Sequence, residues 1–346
     1  MRFTPRLVLT CLALSALPLH AATLDDLYQV REPVSSQQPD ARDQALQAAF
    51  ETLVLRLTGK KEAASDPSIA ALKKDPQQVV SQYGYEADRL VVDFDPLTTE
   101  RALRQAGLPL WGASRPALLT WWLDRAEDGT NNLAGDNQAA ANALREAARY
   151  RGLPLRLPLA DLEEQLVATT DNLANPGGGA LTDASQRYDA DGILTVRAAQ
   201  QDGVWRADWQ LALGEQQEKG SAQADSREGL ADAIMLTLSE RLAPRFAITP
   251  GASSTFDVQI SGVTLDRYAE LQRALEPFGA QMLSIEGADA RYRVNASEQQ
   301  LRAQLELIQL TESSAPPPAA QAIDANAVPA PAALDPAAPK TLYFSW

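Results

Sequence analysis

Apolar residues along this chain switch between a helical and an extended period, and the switches mark out three folded segments. Over 23–112, "LYQVREPV" alternates as a strand, and "DARDQALQAAFETLVLRLTG" places Leu46, Ala49, Leu53 and Leu57 at helical spacing with Gly59 as the stop. "RLVVDFDP" follows as a strand whose Asp95 can cap the next helix, with Pro96 at its first position and Gly107 past its end. The order expected is β-α-(α)-β-α.

The segment 113–248 opens on "RPALLTWWL", apolar on both faces as in a strand covered from two sides. "QAAANALREAARYRG" reads as a helix stopped at Gly152, and "LPLRLPLADLEEQL" as a short strand leading into a helix. Then Trp205, Ala207, Trp209, Leu211 and Leu213 alternate with Arg206, Asp208 and Gln210, giving a strand with one buried and one wet face. Asp202-Gly203 turns the preceding strand into it as a hairpin, "KGSAQAD" offers an edge strand, and Leu230, Ile234, Leu238 and Leu242 share a helical face that Pro244 ends. Residues 255–311 give β-α-β-β-α: "TFDVQISG", a helix with Tyr268, Leu271, Leu275 and Phe278 on one face, "AQMLSIEG", "ARYRVNA", and a helix begun by a Ser297/Gln300 capping box. The fold class expected is α+β, three small α/β-type domains in series, the central one (113–248) carrying an antiparallel meander.

Composition changes this picture at both ends. Residues 1–21 read as a secretory signal, with Arg2 and Arg6 ahead of an apolar run from Leu7 to Leu17, and the expected cut follows Ala21. That run is too short to span a bilayer, which takes roughly 18 or more consecutive apolar residues, so no transmembrane segment is expected in the mature chain. The one cysteine, Cys11, and the one histidine, His20, fall inside the leader. A Cys or His nucleophile, a Cys/His zinc site and a disulfide framework are then unavailable, and no cofactor or metal is expected. Without Arg2 and Arg6 the chain has 29 basic against 45 acidic residues, a net charge near −16 that repels nucleic acid.

The other end is a linker, 312–340, whose last 26 residues contain 7 Pro and 11 Ala and cannot bury enough surface to order themselves. It is followed by "TLYFSW" (341–346), in which Leu342, Phe344 and Trp346 alternate with Tyr343 and Ser345. A strand on a tether has three uses. A membrane barrel would need a series of alternating strands of roughly 10 residues, which this chain lacks. Docking on an open edge of its own body satisfies backbone groups on both sides. Capture by a partner would read Leu342, Phe344 and Trp346 by strand addition, together with the terminal carboxylate.

Candidate chemistry is sparse. "LTGKK" lacks the first Gly and the final Ser/Thr of a phosphate-binding loop, and "NPGGGA" lacks a preceding strand, so both read as surface loops. With histidine gone, acid–base work would fall to carboxylates, and Asp93 and Asp95 on one strand face would lie about 7 Å apart. Asp95 is already a helix cap, and Glu163 and Glu164 read as a solvated acidic face. Trp121, Trp122, Trp205 and Trp209 fit core positions. Trp111, between Leu110 and Gly112, is the tryptophan expected to be accessible for stacking on a sugar ring.

The strings "LYQVREPV", "ARDQALQAAFETLVLRLTG", "FDPLTTERALRQAGLPLWGASRPALLTWWL", "GLPLRLPLADLEEQL" and "RYDADGILTVRAAQQDGVWRADWQL" together resemble the domain-of-unknown-function family 2066, exported proteins of Gram-negative bacteria. The second segment also resembles envelope α/β domains of outer-membrane accessory proteins and lipoproteins. The resemblance implies a periplasmic location and brings no reaction, ligand or site residue. The reading is a non-enzymatic interaction or assembly accessory of the cell envelope, with an envelope protein as partner. The alternatives are a peptidoglycan- or carbohydrate-binding module and a carboxylate-dependent glycan hydrolase.

Overall fold

The computed structural model describes residues 26–126, 128–250, 254–314 and 339–346. The leader expected over 1–21, with Cys11 and His20, and most of the linker expected over 312–340 lie outside the described residues. The fold is α+β, with a separate sheet in each of three bodies.

The first body runs through β1 (Gln29–Pro33), α1 (Pro39–Thr58), the short α2 (Ala70–Lys74), β2 (Val80–Glu86), β3 (Arg89–Phe94) and α3 (Pro96–Gln105). Its antiparallel sheet has the order β1-β3-β2. Leu46, Ala49, Phe50, Leu53 and Leu57 on α1 are buried against Val30, Leu90, Val92 and Phe94. Gly59 ends α1 in the left-handed region, where its Cα also approaches the next body so closely that a Cβ would lie 2.1 Å from that of Ala243. Strand β2 is absent from the order read off the sequence, because its "VSQYGYE" is mostly exposed and shows no apolar alternation.

The central body comprises β4 (Leu118–Arg125), β5 (Asn131–Leu133), α4 (Ala140–Arg151), β6 (Leu155–Arg156), α5 (Leu162–Val167), α6 (Thr170–Leu173), α7 (Gly179–Ser185), β7 (Gly192–Gln201), β8 (Val204–Leu213), β9 (Gln216–Ala224) and α8 (Arg227–Phe246). Its sheet has the order β5-β4-β7-β8-β9, with β6 pairing on β4. β4 and β7 are parallel, and β7-β8-β9 form the expected meander. Strand β4 is covered from both sides. Leu118 and Trp122 join the core under α4 and α8, while Leu119, Trp121 and Leu123 join a second core with Leu173 and Leu181. Asp202 and Gly203 both have positive φ, as a type I′ hairpin turn requires. Pro244 does not end α8: lacking only an N–H, it is held in the last turn, and the helix runs on to Phe246.

The third body contains β10 (Ser254–Ser261), α9 (Leu265–Leu275), β11 (Gln281–Glu286), β12 (Asp289–Ala296), α10 (Glu298–Glu306), β13 (Thr311–Glu312) and β14 (Lys340–Ser345). The sheet order is β11-β12-β10-β14-β13, so the chain's last strand sits inside the sheet. β14 runs parallel to β10, with Val258 opposite Leu342 and Ile260 opposite Phe344, and antiparallel to β13. Ser297 caps α10 by accepting from the Gln300 backbone N–H at 3.3 Å. The reciprocal half of the capping box does not form, because the Gln300 side chain donates to the Ala247 carbonyl of the central body instead.

Buried polar contacts join the bodies. Arg115 donates to the carbonyls of Gly112 (2.9 Å), Gly152 (2.9 Å), Trp111 (2.6 Å) and, across to the first body, Arg56 (2.7 Å). Arg56 in turn donates to Leu27 and Gln29 (2.8 Å each) and to Tyr150 of α4 (3.4 Å). Thr52 donates to Glu32 at 2.5 Å and lies 2.8 Å from the Tyr150 hydroxyl. The third body packs through α10: Ala303 enters the central core, Gln304 donates to Ser114, and Arg245 pairs with Glu306 at 3.1 Å.

Candidate functional site

The site is a cleft of about 320 Å³ between the central and third bodies. The segment that turns into β7 presents Asp189 and Asp191, and β6 presents Arg156. Arg156 is fixed by donating to the Tyr188 and Asp189 carbonyls. Asp189 has φ 46°, a left-handed value that non-glycine residues rarely adopt. Asp191 accepts the Ala117 N–H at 2.6 Å. The Asp191 residue reaches solvent, but burial of its carboxyl in the cleft wall pushes the pKa up to about 6, against the lowering effect of the Ala117 N–H and of Arg156.

The opposite wall is α9 and its exit. Arg267, Glu270, Arg273 and Glu276 succeed one another at three-residue steps and line this wall together with Ala274, beside the buried Leu271 and Leu275. The apolar part of this wall is Pro277, Leu307, Ile308 and the terminal Trp346. Trp346 is half-buried, donates its indole N–H to the Ile308 carbonyl at 2.9 Å, and carries the Arg267 guanidinium 5.2 Å from its ring centroid.

The tryptophan expected to be accessible was Trp111, and the structure corrects this. Trp111 is 1% exposed, stacked on Phe246 (5.7 Å, 12°) with the Arg115 guanidinium 4.3 Å from its ring centroid. The cause is its position at the seam: the Trp111 N–H donates to Leu57 of the first body, while Leu110 bridges to Ile248 beyond α8. No face is left for a sugar. Leu342 and Phe344 are buried in the third core on their own chain, and of the three C-terminal residues only Trp346 reaches the cleft.

The carboxylates singled out from the sequence lie elsewhere. Asp93 accepts from Gln29 (2.7 Å) and Gln82 (2.8 Å), and Asp95 caps α3 through the Thr98 N–H (2.8 Å), the Thr98 side chain and N–H together holding its carboxyl below the usual range. Glu164 is not on a solvated face. It is buried, completes a capping box with Asp161, and takes contacts from Arg187 and the Tyr188 hydroxyl. Among the described residues no group of three or more carboxylates converges closely enough to hold a metal ion, and no helix is long and apolar enough to cross a membrane.

The cleft was not legible in the sequence because its residues come from six separate places in the chain. The one legible signal was the three-residue charge repeat along α9 and its exit, beside the apolar face that was read correctly.

A family model described as "Domain of unknown function (DUF8605)" matches residues 21–112, which corrects the resemblance to family 2066. Two of the strings that suggested that family lie within the matched residues and a third overlaps them, while the last two lie beyond residue 112. No curated protein matches the chain. Among solved structures, the chain is similar to the LpoB C-terminal domain from Salmonella enterica, with 17% identity, a TM-score of 0.22 and coverage of 32% of this chain and 83% of that one. It is also similar to the lipoprotein GNA1162 from Neisseria meningitidis, with 17% identity, a TM-score of 0.21 and coverage of 37% and 99%.

Proposed function

We propose that this protein is a non-enzymatic interaction or assembly accessory of the bacterial cell envelope, working outside the cytoplasm. One observation carries the reading. Six of the nine large apolar side chains left exposed among the described residues gather on two short elements, Leu162 (74% exposed) and Leu166 (71%), one turn apart on α5 with Leu159 just before them, and Met282, Leu283 and Ile285 on the edge strand β11, while Tyr83, Leu97 and Leu265 stand singly. Clustered exposed apolar residues mark protein–protein contact surfaces, whereas single ones need no explanation. β11 is also an open sheet edge, which a partner's strand can extend, and its bulge at Leu283 interrupts self-pairing. The secretory pattern of residues 1–21 supports the location.

The reading is tested with a photo-crosslinking amino acid placed at Leu162, at Ile285 and, as a control, at exposed Gln217 on β9. A discrete adduct at Leu162 or Ile285 in intact cells, absent at Gln217 and lost from the α5 site in Leu166→Asp, is the expected result. Identical adduct patterns at all three positions would overturn it.

A further inference from the structure

Eighteen ion pairs form among the described residues. None of them includes Arg156, Arg267 or Arg273, the three arginines of the cleft that reach solvent; the fourth, Arg115, is buried behind the wall with its donors on main-chain carbonyls. None includes Asp189, Asp191, Glu270 or Glu276, the carboxylates that share it. Seven solvent-reaching charges of both signs thus line one cavity without forming an ion pair among themselves or with any other described residue, their contacts being to main-chain groups and the Trp346 ring, while most arginines on the rest of the molecule find a carboxylate.

A purely anionic ligand would meet four carboxylates here, and a purely cationic one three guanidiniums. A ligand with a carboxylate and an ammonium a few bonds apart satisfies both sets, and planar guanidiniums suit the carboxylate by bidentate contact. Trp346, Pro277, Leu307 and Ile308 supply the apolar surface on which such a ligand's side chain would lie. The size agrees, since ligand pockets start at about 300 Å³.

We propose that the cleft binds a short peptide with free amino and carboxyl groups, the carboxylate on Arg267 and Arg273 of α9 and the ammonium on Asp189 and Asp191 of the central body. The two walls belong to different bodies, so the ligand bridges them. This goes beyond the envelope reading and does not depend on the α5 surface: either can fail without the other.

The test is a calorimetric titration of the full chain with tri-alanine, its N-acetylated form, its C-terminal amide, and the cell-wall stem tripeptide L-Ala-γ-D-Glu-meso-diaminopimelate. Uncapped peptide is expected to bind, and each cap to weaken binding about tenfold, the loss of one charge-assisted contact. Arg273→Gln should reproduce the amide effect and Asp189→Asn the acetyl effect. Both residues are exposed, so circular dichroism unchanged from wild type confirms folding. Tighter binding of the stem tripeptide than of tri-alanine assigns the ligand to the cell wall, and equal binding to free peptides. Absence of binding by either uncapped peptide up to millimolar concentration, or equal binding of capped and uncapped forms, would overturn the proposal.

Discussion

Arg56 and Arg115 are two guanidiniums buried at the seam between the first and central bodies, and they face main-chain carbonyls rather than carboxylates. Burial pushes their pKa values down, to about 10 and about 9, yet both stay charged at neutral pH. Removing such a group strands its acceptors as well as the packing. Arg115→Ala leaves four carbonyls without a donor and is expected to cost about 3–5 kcal/mol in urea unfolding. Arg115→Lys should recover only part of this, because one ammonium cannot reach four acceptors set around a planar fork. Asp191 acts with the opposite sign. Its folded pKa lies above the unfolded value, so the fold holds the extra proton between about pH 4 and 6 and stability from this group falls as pH rises through that window. Asp191→Asn should therefore be more stable than wild type at pH 7.5, by about 1 kcal/mol once the residue's contact with solvent is discounted. The gain should vanish below pH 4, and thermal melts at the two pH values check it.

At the scale of elements, β14 connects the sequence pattern to the site. Phe344 and Leu342 fill the third core, and the same strand sets Trp346 into the cleft wall. Phe344→Ala is expected to cost about 3–5 kcal/mol, the range for emptying a buried aromatic site. Hydrogen exchange should show lost protection confined to β10 and β13, the two strands it pairs with; equal loss in β7 and β8 would argue against that confinement. Elements with strict periodicity were legible in advance: α1 through Leu46, Ala49, Leu53 and Leu57, β8 through its alternating tryptophans, and β14 through Leu342 and Phe344. Two kinds of feature were not. Strand β2 has little apolar pattern and is held by its hairpin with β3, so nothing local announces it. Trp111 and Glu164 have unremarkable neighbours in sequence, and their burial comes from residues far along the chain, Phe246 for one and Arg187 for the other. The cleft belongs to this second kind entirely, being made by the approach of two bodies.

For the whole molecule, the strength of the two seams sets how it unfolds. The first and central bodies share the Arg115 and Arg56 carbonyl contacts, the Thr52–Glu32–Tyr150 cluster and the close approach of Gly59 to Ala243, all at or near buried positions. The third body is held mainly through α10, by Ala303, the Gln300 and Gln304 side chains and a half-exposed pair, Arg245 with Glu306, with Leu307 and Ile248 adding partly buried apolar contacts. At this size it is also marginal on its own. Calorimetry should therefore resolve two transitions, a smaller one for the third body at lower temperature and a larger one for the first and central bodies together. Deleting 339–346 should lower only the first, since β14 belongs to the third core, and Arg115→Ala mainly the second. An uncapped peptide bound between Arg273 and Asp189 would bridge the weaker seam, so it should raise the lower transition toward the upper one as its concentration grows. If deletion of 339–346 moves both transitions equally, the three bodies form one cooperative unit and the seams do not differ in the way their contacts imply.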